Sequence, residues 1–351
     1  MVDYENIVED INRYLLKYLN CKISQANNLD SSYKDLWLLI KKNVNYGGKR
    51  SRPYLTILTY LSLCKKSSQD ILEIAVSQEL LHIALLIHDD IIDEDYTRHN
   101  KANIAGQKFK DYSFLTNEIQ AYHLANSVSL LAGDLLISAA YELIINSKVS
   151  LSDKIKIMKI LTTDIFEVAG GELFDIEAVL KPFDSDFSFK ISRYKTAGYS
   201  FYYPMLIGAV LAKANEKQLA LIKKFSYLVG IAYQLIDDDE GLFGQEKIIG
   251  KSVLSDLKQG KRTYLMSLVF QLCSVVDREY LNKIFKQSKI ASQQHLKIKN
   301  IAEKCGARAQ AKKQILDLIN QARLCLNQFK IDKAYKVSYQ NFLDNLIKRV
   351  Y

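Results

Sequence analysis

Two residue types that mark particular classes of fold are scarce in this 351-residue sequence. It contains only three prolines, and because proline breaks helix interiors, their scarcity leaves room for long uninterrupted helices. Its five cysteines are widely spaced and form no Cys-x-x-Cys pair, which argues against a disulfide framework and against a thiolate zinc site. We therefore expect free thiols in a reducing compartment, and hence a cytoplasmic protein.

The sequence also lacks the usual signals for export and for membrane insertion. Residues 1–12 carry four acidic side chains, which is the wrong charge for a signal or transit peptide. Unbroken apolar runs, such as residues 205–212, are much shorter than the roughly 20 residues that span a bilayer. We expect neither secretion nor a transmembrane segment.

Basic residues outnumber acidic ones, 48 to 39, which gives a formal net charge of +9. A surplus of this size can indicate nucleic acid, an anionic membrane or a phosphorylated substrate as the partner. The lysines are spread along the whole chain, without an RNA-binding motif or zinc-finger spacing, so we expect no nucleic-acid partner. A nucleic-acid-binding protein would instead be retained on DNA with a steep salt dependence.

Apolar residues recur at helical spacing almost throughout the chain, as in Leu72, Ala75, Val76, Leu80 and Ile83. No rhythm of short strands and turns interrupts them. The pattern therefore predicts an all-α protein.

We expect one domain over residues 1–351, with a motif-bearing core at about 40–265 and a helical C-terminal part at about 266–351. The C-terminal part is amphipathic and lysine-rich, which is typical of packing helices with a solvated face, and we assign it no chemistry. Polar stretches predict connections at about 64–70, 97–117, 181–187 and 244–260.

A first acidic cluster, Asp89-Asp90-Ile91-Ile92-Asp93, places two carboxylates one helical turn apart. Asp89 and Asp93 would share a helix face with about 6 Å between their Cβ atoms, where like charges repel. A hard cation between them removes the repulsion, and Mg²⁺ prefers oxygen ligands while keeping positions open for phosphates. The spacing predicts a magnesium site, although a solvated helix end would have the same sequence.

A second acidic cluster, Asp237-Asp238-Asp239-Glu240, has Gly241 where the next carboxylate of that face would stand. The second site therefore has fewer ligands at ideal spacing. Glu240 lies three residues after Asp237 and could reach the same face, so we hypothesise that it compensates for Gly241.

Compact basic segments alternate with these acids along the sequence. A glycine pair lets the backbone approach an anion, while Lys and Arg supply donors for phosphate oxygens. A diphosphate bound both by metal and by cations explains the alternation, and the glycine-lysine segment lacks the spacing of a nucleotide P-loop. The basic segments are Gly47-Gly48-Lys49-Arg50-Ser51-Arg52-Pro53, Arg98, Lys195-Thr196, Gly250-Lys251 and Lys261-Arg262.

As a set, these motifs closely resemble the trans-type polyprenyl diphosphate synthases, which condense isopentenyl diphosphate head-to-tail with an allylic diphosphate. The resemblance runs in order from about Gly47 to Thr263. It implies an isoprenoid-synthase-type helical bundle around a deep apolar cavity, three Mg²⁺ ions with substrate bound, a dimethylallyl, geranyl or farnesyl diphosphate primer, and a homodimer. The motifs are Gly-Gly-Lys-x-x-Arg-Pro at 47–53, His82, Asp-Asp-x-x-Asp at 89–93 with Thr97-Arg98, Gly133-Asp134, Gly171-Glu172-x-x-Asp175, Lys195-Thr196 with Pro204, Gln234-x-x-Asp237-Asp238, and Gly250-Lys251 through Ser255-Asp256 to Lys261.

The resemblance also implies roles for individual residues. Taken alone, His82 would more often be a helix residue with a local hydrogen bond, and Lys251 a surface lysine. The family's isopentenyl diphosphate contacts match Lys49, Arg52, His82 and the position of His99. Its metal ligands match Asp89, Asp93 and Asp237, with Asp90 and Asp238 beside them. Its cations around the allylic diphosphate match Arg98, Lys195, Lys251 and Lys261, and its catalytic groups near the developing allyl cation match Lys195, Thr196 and Gln234.

Three positions depart from the family pattern. His99 stands where a second arginine usually binds the homoallylic diphosphate, Gly241 replaces the last acid of the second motif, and Glu172 stands where glutamine is common. Because histidine titrates near neutrality, His99 predicts an affinity for isopentenyl diphosphate that changes between about pH 6 and 8.

The expected mechanism follows from charge. Ionisation of an allylic carbon–oxygen bond leaves negative charge on the diphosphate and positive charge on the hydrocarbon, so metals and cations must hold the first while oxygens and apolar walls tolerate the second. The double bond of isopentenyl diphosphate then attacks the cation. By resemblance to the family, the released diphosphate takes the final proton.

Product length depends on an apolar channel that we expect below Asp89. Residues about one turn earlier, Ala84 and Leu85, with Leu81 next down the helix, should line it. In the family, bulky aromatic residues there stop growth early, so the small Ala84 predicts a C20 (geranylgeranyl) or longer product. Alternatively, Ala84 only permits close helix packing.

Two other functions compete with this prediction. A class I terpene cyclase shares the implied fold and metal chemistry but has no need of the Gly-Gly-Lys-x-x-Arg segment for a second diphosphate. A non-catalytic prenyltransferase subunit typically loses an acidic motif, whereas here the first motif is whole and the second is partly altered.

Overall fold

A computed structural model of the chain describes residues 4–64, 66–98, 100–244, 257, 259–285 and 290–350. Almost all of them are helical, which confirms the all-α prediction. Within these ranges the only strands are two short ones, β1 (Thr97–Arg98) and β2 (Lys101–Ala102), which pair antiparallel with Thr97 opposite Ala102. The described residues divide into two compact units, one ending at Met158 and the other starting at Lys159; the prediction of one domain stays a prediction.

The first unit is built around a long apolar helix, α4, that carries the first acidic cluster at its C-terminal end. Its side chains from Ile74 to Leu81 are all buried, the polar Ser77, Gln78 and Glu79 among them. The unit contains α1 (Tyr4–Asn27), α2 (Ser31–Val44), α3 (Ser51–Leu63), a 3-10 turn (Ser68–Ile71), α4 (Leu72–Ile92), α5 (Ile104–Ser113) and α6 (Glu118–Asn146).

Helix α4 packs against α6, and small residues on α6 allow the two to approach closely. Ala125, Ala132 and Gly133 are buried on α6. A Cβ atom on Gly133 would lie 2.1 Å from Nε2 of His88, so glycine lets the ring lie against α6 as it does. The packing of α4 against α6 fixes the position of His88 within the first unit, and with it the position of Asp89, the next residue.

The second unit begins within α7 (Leu151–Ala178) and is organised around α10 (Glu216–Phe243), which carries the second acidic cluster. Helix α10 begins with a capping box between Asn215 and Gln218. It packs against a π-helix (Ser192–Tyr202) and α14 (Ala307–Asn327). A Cβ atom on Gly230 would lie 2.5 Å from Cα of Ala197, so this crossing also requires glycine. The elements are α7 (Leu151–Ala178), α8 (Ser185–Ile191), the π-helix (Ser192–Tyr202), α9 (Tyr203–Leu211), α10 (Glu216–Phe243), α11 (Tyr264–Leu272), α12 (Val275–Ile284), α13 (Ser292–Lys304), α14 (Ala307–Asn327) and α15 (Lys333–Val350).

One predicted connection is wrong in part. Residues 97–117 contain β1, β2 and the whole of α5, not only loop. The sequence of α5 is largely polar, and its start depends on a single cap, in which the side chain of Asn103 accepts a hydrogen bond from the backbone N–H of Gly106 at 2.8 Å.

Three helical segments are long and apolar enough to cross a membrane, judged by length and composition alone: Ser68–Ile92, Glu118–Asn146 and Glu216–Phe243. These helices reach a high mean hydropathy with interspersed polar residues, although none of them contains an unbroken apolar run of that length. In the first of them, 72% of the most apolar window is buried inside the protein, which is what a core helix requires. The absence of a transmembrane segment stays a prediction.

Candidate active site

The first acidic cluster occupies the last turn of α4. Asp93 is the C-terminal cap, and its backbone N–H donates to the backbone carbonyl of Asp89 at 2.8 Å, which keeps the two residues on one face. Asp90 points elsewhere: it is buried and accepts hydrogen bonds from Nε of Arg98 at 3.0 Å and from Nη2. The guanidinium Nη2 also lies 3.5 Å from Oδ2 of Asp89. A cation from the β1–β2 hairpin thus touches two of the three acids.

The donor set of the first cluster fits a magnesium ion. The Asp89 side chain is 23% exposed and offers oxygen ligands to solvent. In the described part of the chain, no three His, Cys, Asp or Glu side chains converge as a complete metal site. Partial coordination by protein is what Mg²⁺ usually has, because it keeps several waters and binds substrate phosphates.

The basic loop before α3 has an unusual backbone. Gly47 and Gly48 have φ angles of 114° and 145°, values that residues with side chains rarely adopt. Lys49 on the loop is exposed, and Arg52 in the first turn of α3 is half-buried. Both predicted diphosphate contacts are therefore accessible to solvent. Arg50, between them, is buried and forms an ion pair with Glu79 at 2.7 Å.

Sequence reasoning missed this role of Arg50, which it counted as one more cation. A signal was present, because Glu79 is a carboxylate in a stretch of α4 that is otherwise almost wholly apolar and buried. A buried carboxylate must be paired or protonated, so the sequence asked for a basic partner without saying which.

His82 lies on α4, between Glu79 and the first acidic cluster. Burial holds the pKa of His82 well below its ordinary value, and the positive charges of Arg52, Arg98 and Arg50 act in the same direction. The imidazole is therefore neutral at physiological pH. It lines a cavity of the first unit together with Gly48, Arg50, Glu79, Asp90 and Arg98.

The three predicted chain-length residues differ in exposure. Ala84 and Leu81 are buried completely or nearly so, whereas Leu85 is half-buried. All three lie on α4 within the turns that precede Asp89. Their role in product length stays a prediction.

In the second unit, two arginines pair with three acids of the second cluster. Asp237 accepts a hydrogen bond from Nη2 of Arg349, and Glu240 accepts from Nε of the same arginine at 2.9 Å and from Nη2 at 2.7 Å. Asp239 is paired with Arg308 through two bonds of 3.0 and 3.1 Å.

Asp238 has a different environment from its neighbours. It accepts hydrogen bonds from Nε2 of Gln234 at 2.8 Å and from the backbone N–H of Tyr264 at 3.0 Å. Asp238 thereby ties α10 to the start of α11.

The C-terminal part, to which the sequence assigned no chemistry, therefore supplies an arginine to the second cluster. Arg349 lies near the end of α15, and its guanidinium also sits 4.8 Å from the ring centre of Tyr233. Nothing in the sequence signals this contact, because 112 residues separate Arg349 from Asp237.

Lys195 and Thr196 lie in the π-helix. Such widened helices are rare in proteins, and those that occur are often found at functional sites. The ammonium of Lys195 is 2.7 Å from Asp175 and 2.9 Å from Glu172. The departure at Glu172 thus gives Lys195 a second carboxylate where the family's glutamine would give a neutral amide.

Thr196 and Gln234 are brought together as predicted neighbours of a developing cation. The Thr196 hydroxyl donates to Oε1 of Gln234 at 2.5 Å. Lys261 is half-buried and lines a small cavity of this unit with Asp238 and Gly241. His99 and Lys251 lie outside the described residues.

Comparison with known protein families gives a match over most of the chain. The sequence profile of the polyprenyl synthetase family matches residues 34–304. Among curated proteins, the chain is 33% identical over 223 residues to a short chain isoprenyl diphosphate synthase of Methanocaldococcus jannaschii, covering 63% of this chain and 62% of that protein. It is 29% identical over 350 residues to a geranylgeranyl diphosphate synthase of Sulfolobus acidocaldarius, covering 95% and 92%. It is 31% identical over 242 residues to a farnesyl diphosphate synthase of Bacillus subtilis, covering 65% and 76%.

Solved structures agree with these sequence matches. A geranylgeranyl pyrophosphate synthase from Corynebacterium glutamicum, complexed with isoprenyl diphosphate and magnesium, superposes with a TM-score of 0.93 at 25% identity, covering 99% of this chain and all of that one. A decaprenyl diphosphate synthase from Rhodobacter capsulatus has a TM-score of 0.79 at 19% identity, covering 99% and 100%, and shares the fold.

Proposed function

The chain belongs to the polyprenyl synthetase family, and from that premise we propose that it is a magnesium-dependent prenyltransferase. It condenses isopentenyl diphosphate head-to-tail with an allylic diphosphate and releases an all-trans polyprenyl diphosphate. Relatives named as geranylgeranyl diphosphate synthases support a C20 or longer product. The reported relatives are named as synthases, so the terpene-cyclase and non-catalytic alternatives gain no support.

One observation carries the proposal: Asp89 and Asp93 share a face at the end of α4, with Arg98 beside Asp89. This arrangement suits a diphosphate that is held through metal by the acids and directly by a cation. When bound, Mg²⁺ neutralises charge on the departing diphosphate. Two carboxylates at this spacing without such a ligand would only repel each other.

The residues of the second unit suit the positive half of the reaction. The Thr196 hydroxyl donates a hydrogen bond to Gln234, so the lone pairs of the Thr196 oxygen stay available to stabilise a developing carbocation. Gln234 is held in turn through its amide, which donates to Asp238. The pair is oriented before substrate arrives, and the enzyme need not reorganise it when the allylic bond ionises.

Neutral His82 and the cations Lys49 and Arg52 are the groups that we assign to isopentenyl diphosphate. A neutral imidazole donates one hydrogen bond to a phosphate oxygen without adding charge. Arg98, Lys195, Lys251 and Lys261 are assigned to the allylic diphosphate, and we propose three Mg²⁺ ions in the loaded enzyme. A homodimer and a cytoplasmic location remain part of the proposal.

The direct test incubates the purified protein with labelled isopentenyl diphosphate and, in separate reactions, C5, C10 and C15 allylic diphosphates. Each reaction is run with Mg²⁺ and with EDTA, and the products are sized. We expect elongation only with Mg²⁺, ending at C20 or beyond. A folded protein that gives no product with any primer would overturn the proposed activity.

The product length is tested by Ala84→Phe and Leu85→Phe. If α4 lines the channel, a ring at either position blocks the growing chain and shortens the product. Ala84 is fully buried, so Ala84→Phe also risks overpacking of about 1–3 kcal/mol, and the half-buried Leu85 is the safer site. Ala75→Phe, at an equally buried position near the other end of α4, is the matched control. Unchanged products from both test variants would exclude this wall.

A further inference from the structure

The basic loop before α3 contains a cation that is buried. Arg50 is only 7% exposed and has a left-handed backbone, with φ 47° and ψ 35°. A residue with a side chain adopts this conformation at a cost, so other contacts must hold it. Its neighbours Lys49 and Arg52, by contrast, are exposed and half-buried.

The Arg50 guanidinium uses all three of its nitrogens. Nε donates to Oδ1 of Asn12 at 2.9 Å, Nη1 to Oε1 of Glu79 at 2.7 Å, and Nη2 to the carbonyl of Val44 at 2.9 Å. These acceptors belong to α1, α4 and the end of α2. One planar group thus joins the loop to three helices, which the single ammonium of a lysine cannot reproduce.

Glu79 has Arg50 as its ion-pair partner. It is 2% exposed, and among the residues that the structure describes its second oxygen, Oε2, has no hydrogen-bond donor. A buried carboxylate without a counter-ion is strongly disfavoured. The ion pair is therefore a constraint on both elements, because neither α4 nor the loop can move without separating buried charges.

The loop is shaped to fit this ion pair. A Cβ atom on Gly48 would lie 3.1 Å from Nη1 of Arg50 and 3.9 Å from Oε1 of Glu79. On the other side of the loop, the hydroxyl of Tyr4 donates to the backbone carbonyl of Lys49. The backbone of Lys49 is thus held between a tyrosine and an arginine whose side chain is fixed.

We infer that Arg50 and Glu79 are positioning residues for the isopentenyl diphosphate site, an inference that rests on the proposed function. The Arg50–Glu79 pair sets where Lys49 and Arg52 stand relative to His82, which lies one helical turn after Glu79 on α4. All three nitrogens of the Arg50 guanidinium are already used by protein acceptors, so we assign Arg50 a positioning role. It acts by holding the donors at the spacing that a diphosphate requires, and their misplacement weakens binding of the diphosphate.

The test compares Arg50→Lys and Glu79→Gln with the wild-type enzyme in steady-state assays that vary each substrate in turn. We expect the KM for isopentenyl diphosphate to rise at least about tenfold, with kcat and the KM for the allylic diphosphate changed by less than about threefold. Isothermal titration of isopentenyl diphosphate without the allylic substrate should show the same loss of affinity.

The matched control is Arg13→Lys on α1. Arg13 is exposed and forms ion pairs with Glu9 and Asp10, so the same substitution there should leave every parameter unchanged. Thermal unfolding establishes that each variant is folded. Asn12→Ala removes only the acceptor of Nε and leaves the buried ion pair intact, and it should raise the KM for isopentenyl diphosphate about threefold even if the larger changes prevent folding.

Two results would overturn the inference. The first is an unchanged affinity for isopentenyl diphosphate in folded variants. The second is an equal rise in both KM values, because a general loosening of the first unit would not distinguish the substrates. A wild-type protein that binds isopentenyl diphosphate but elongates no primer would instead contradict the proposed function and leave the binding comparison informative.

Discussion

At the scale of single residues, His82 shows how a site can be kept uncharged among arginines. Desolvation holds its pKa well below the ordinary value, and the surrounding positive charges add to the effect. In the folded protein His82 therefore stays neutral at pH values below about 6.5, where a histidine of the unfolded chain becomes protonated. Stability should decline as the pH falls from about 7 towards 5, since the unfolded state binds more protons there.

We predict that His82→Gln reduces this loss of folding stability at acid pH. In urea unfolding at fixed pH, the wild type should lose up to about 1.4 kcal/mol per pH unit more than the variant below pH 6.5. His123→Gln, on the exposed surface of α6, is the matched control and should reproduce the wild-type curve. Parallel curves for the wild type and His82→Gln would show that His82 takes up its proton in the folded state.

Which residues carry charge at the site could be predicted from the sequence, but their partners could not. Asp89 and Asp93 share a face because the helical repeat is local, and the spacing alone contains that information. The contact of Asp237 with Arg349 joins positions 112 residues apart, and no local pattern records it. The burial of Arg50 escaped for the same reason, because its three acceptors come from three different helices.

At the scale of elements, α7 has two adjacent glycines with opposite surroundings, and only the second meets the π-helix. A Cβ atom on Gly171 would lie 2.4 Å from the backbone nitrogen of Lys195, and backbone cannot yield as a flexible side chain can. Around Gly170 nothing lies within 4 Å. The pair separates the effect of a contact from the effect of helix propensity.

We predict that Gly171→Ala destabilises the protein by about 1–3 kcal/mol through overpacking and lowers kcat by displacing Lys195. Gly170→Ala should instead stabilise it by about 0.5–1 kcal/mol, because alanine favours the helix and meets no neighbour. Thermal or urea unfolding of both variants checks the stabilities, and a steady-state assay checks kcat. Equal stabilities for the two variants would contradict the close approach of α7 and the π-helix.

The end of α15 is a second element with a testable role. Arg349 neutralises Asp237 and Glu240, whose carboxylates otherwise repel each other on one face of α10. Because the three side chains are partly exposed, we predict that Arg349→Gln costs only about 1 kcal/mol of stability. Mg²⁺ should raise the unfolding temperature of this variant more than that of the wild type, because a cation then replaces the lost guanidinium.

Arg323→Gln is the matched control for Arg349→Gln. Arg323, on α14, forms an exposed ion pair with Asp344 of α15, the helix that carries Arg349. Its loss should change stability by less than about 0.5 kcal/mol and leave the Mg²⁺ response as in the wild type. An identical Mg²⁺ response in all three proteins would indicate that Arg349 does not compete with metal at Asp237.

The elements themselves divide into those that the sequence predicts and those that it does not. Long apolar helices such as α4 and α10 follow from periodicity, since every turn repeats the signal. The β1–β2 hairpin has two residues per strand, too few for any alternation to be visible. Helix α5 was missed because its composition is polar.

At the scale of the whole molecule, the family and the all-α fold were predictable because several motifs in a fixed order constrain the answer far more than any one of them. We test the proposed homodimer at Leu130 and Leu131, which are adjacent on α6 and 51% and 56% exposed. A contiguous exposed apolar patch can mark an interaction site.

We predict that the protein sediments at twice its chain mass of 40.2 kDa. Leu131→Glu should shift it towards the monomer, because the interface would have to bury an unpaired charge. Leu180→Glu introduces the same charge at a residue that is 86% exposed outside α6 and should leave the mass unchanged. A monomeric wild type would remove the homodimer from the proposal.

The contact between Gly133 and His88 has a historical consequence. With only 2.1 Å between Nε2 of His88 and the place of a new Cβ atom, a side chain at position 133 requires the ring to turn away or to be replaced. Either change disturbs the residue that precedes Asp89. The two positions are therefore coupled, and descendants of this chain are expected to inherit them as a pair.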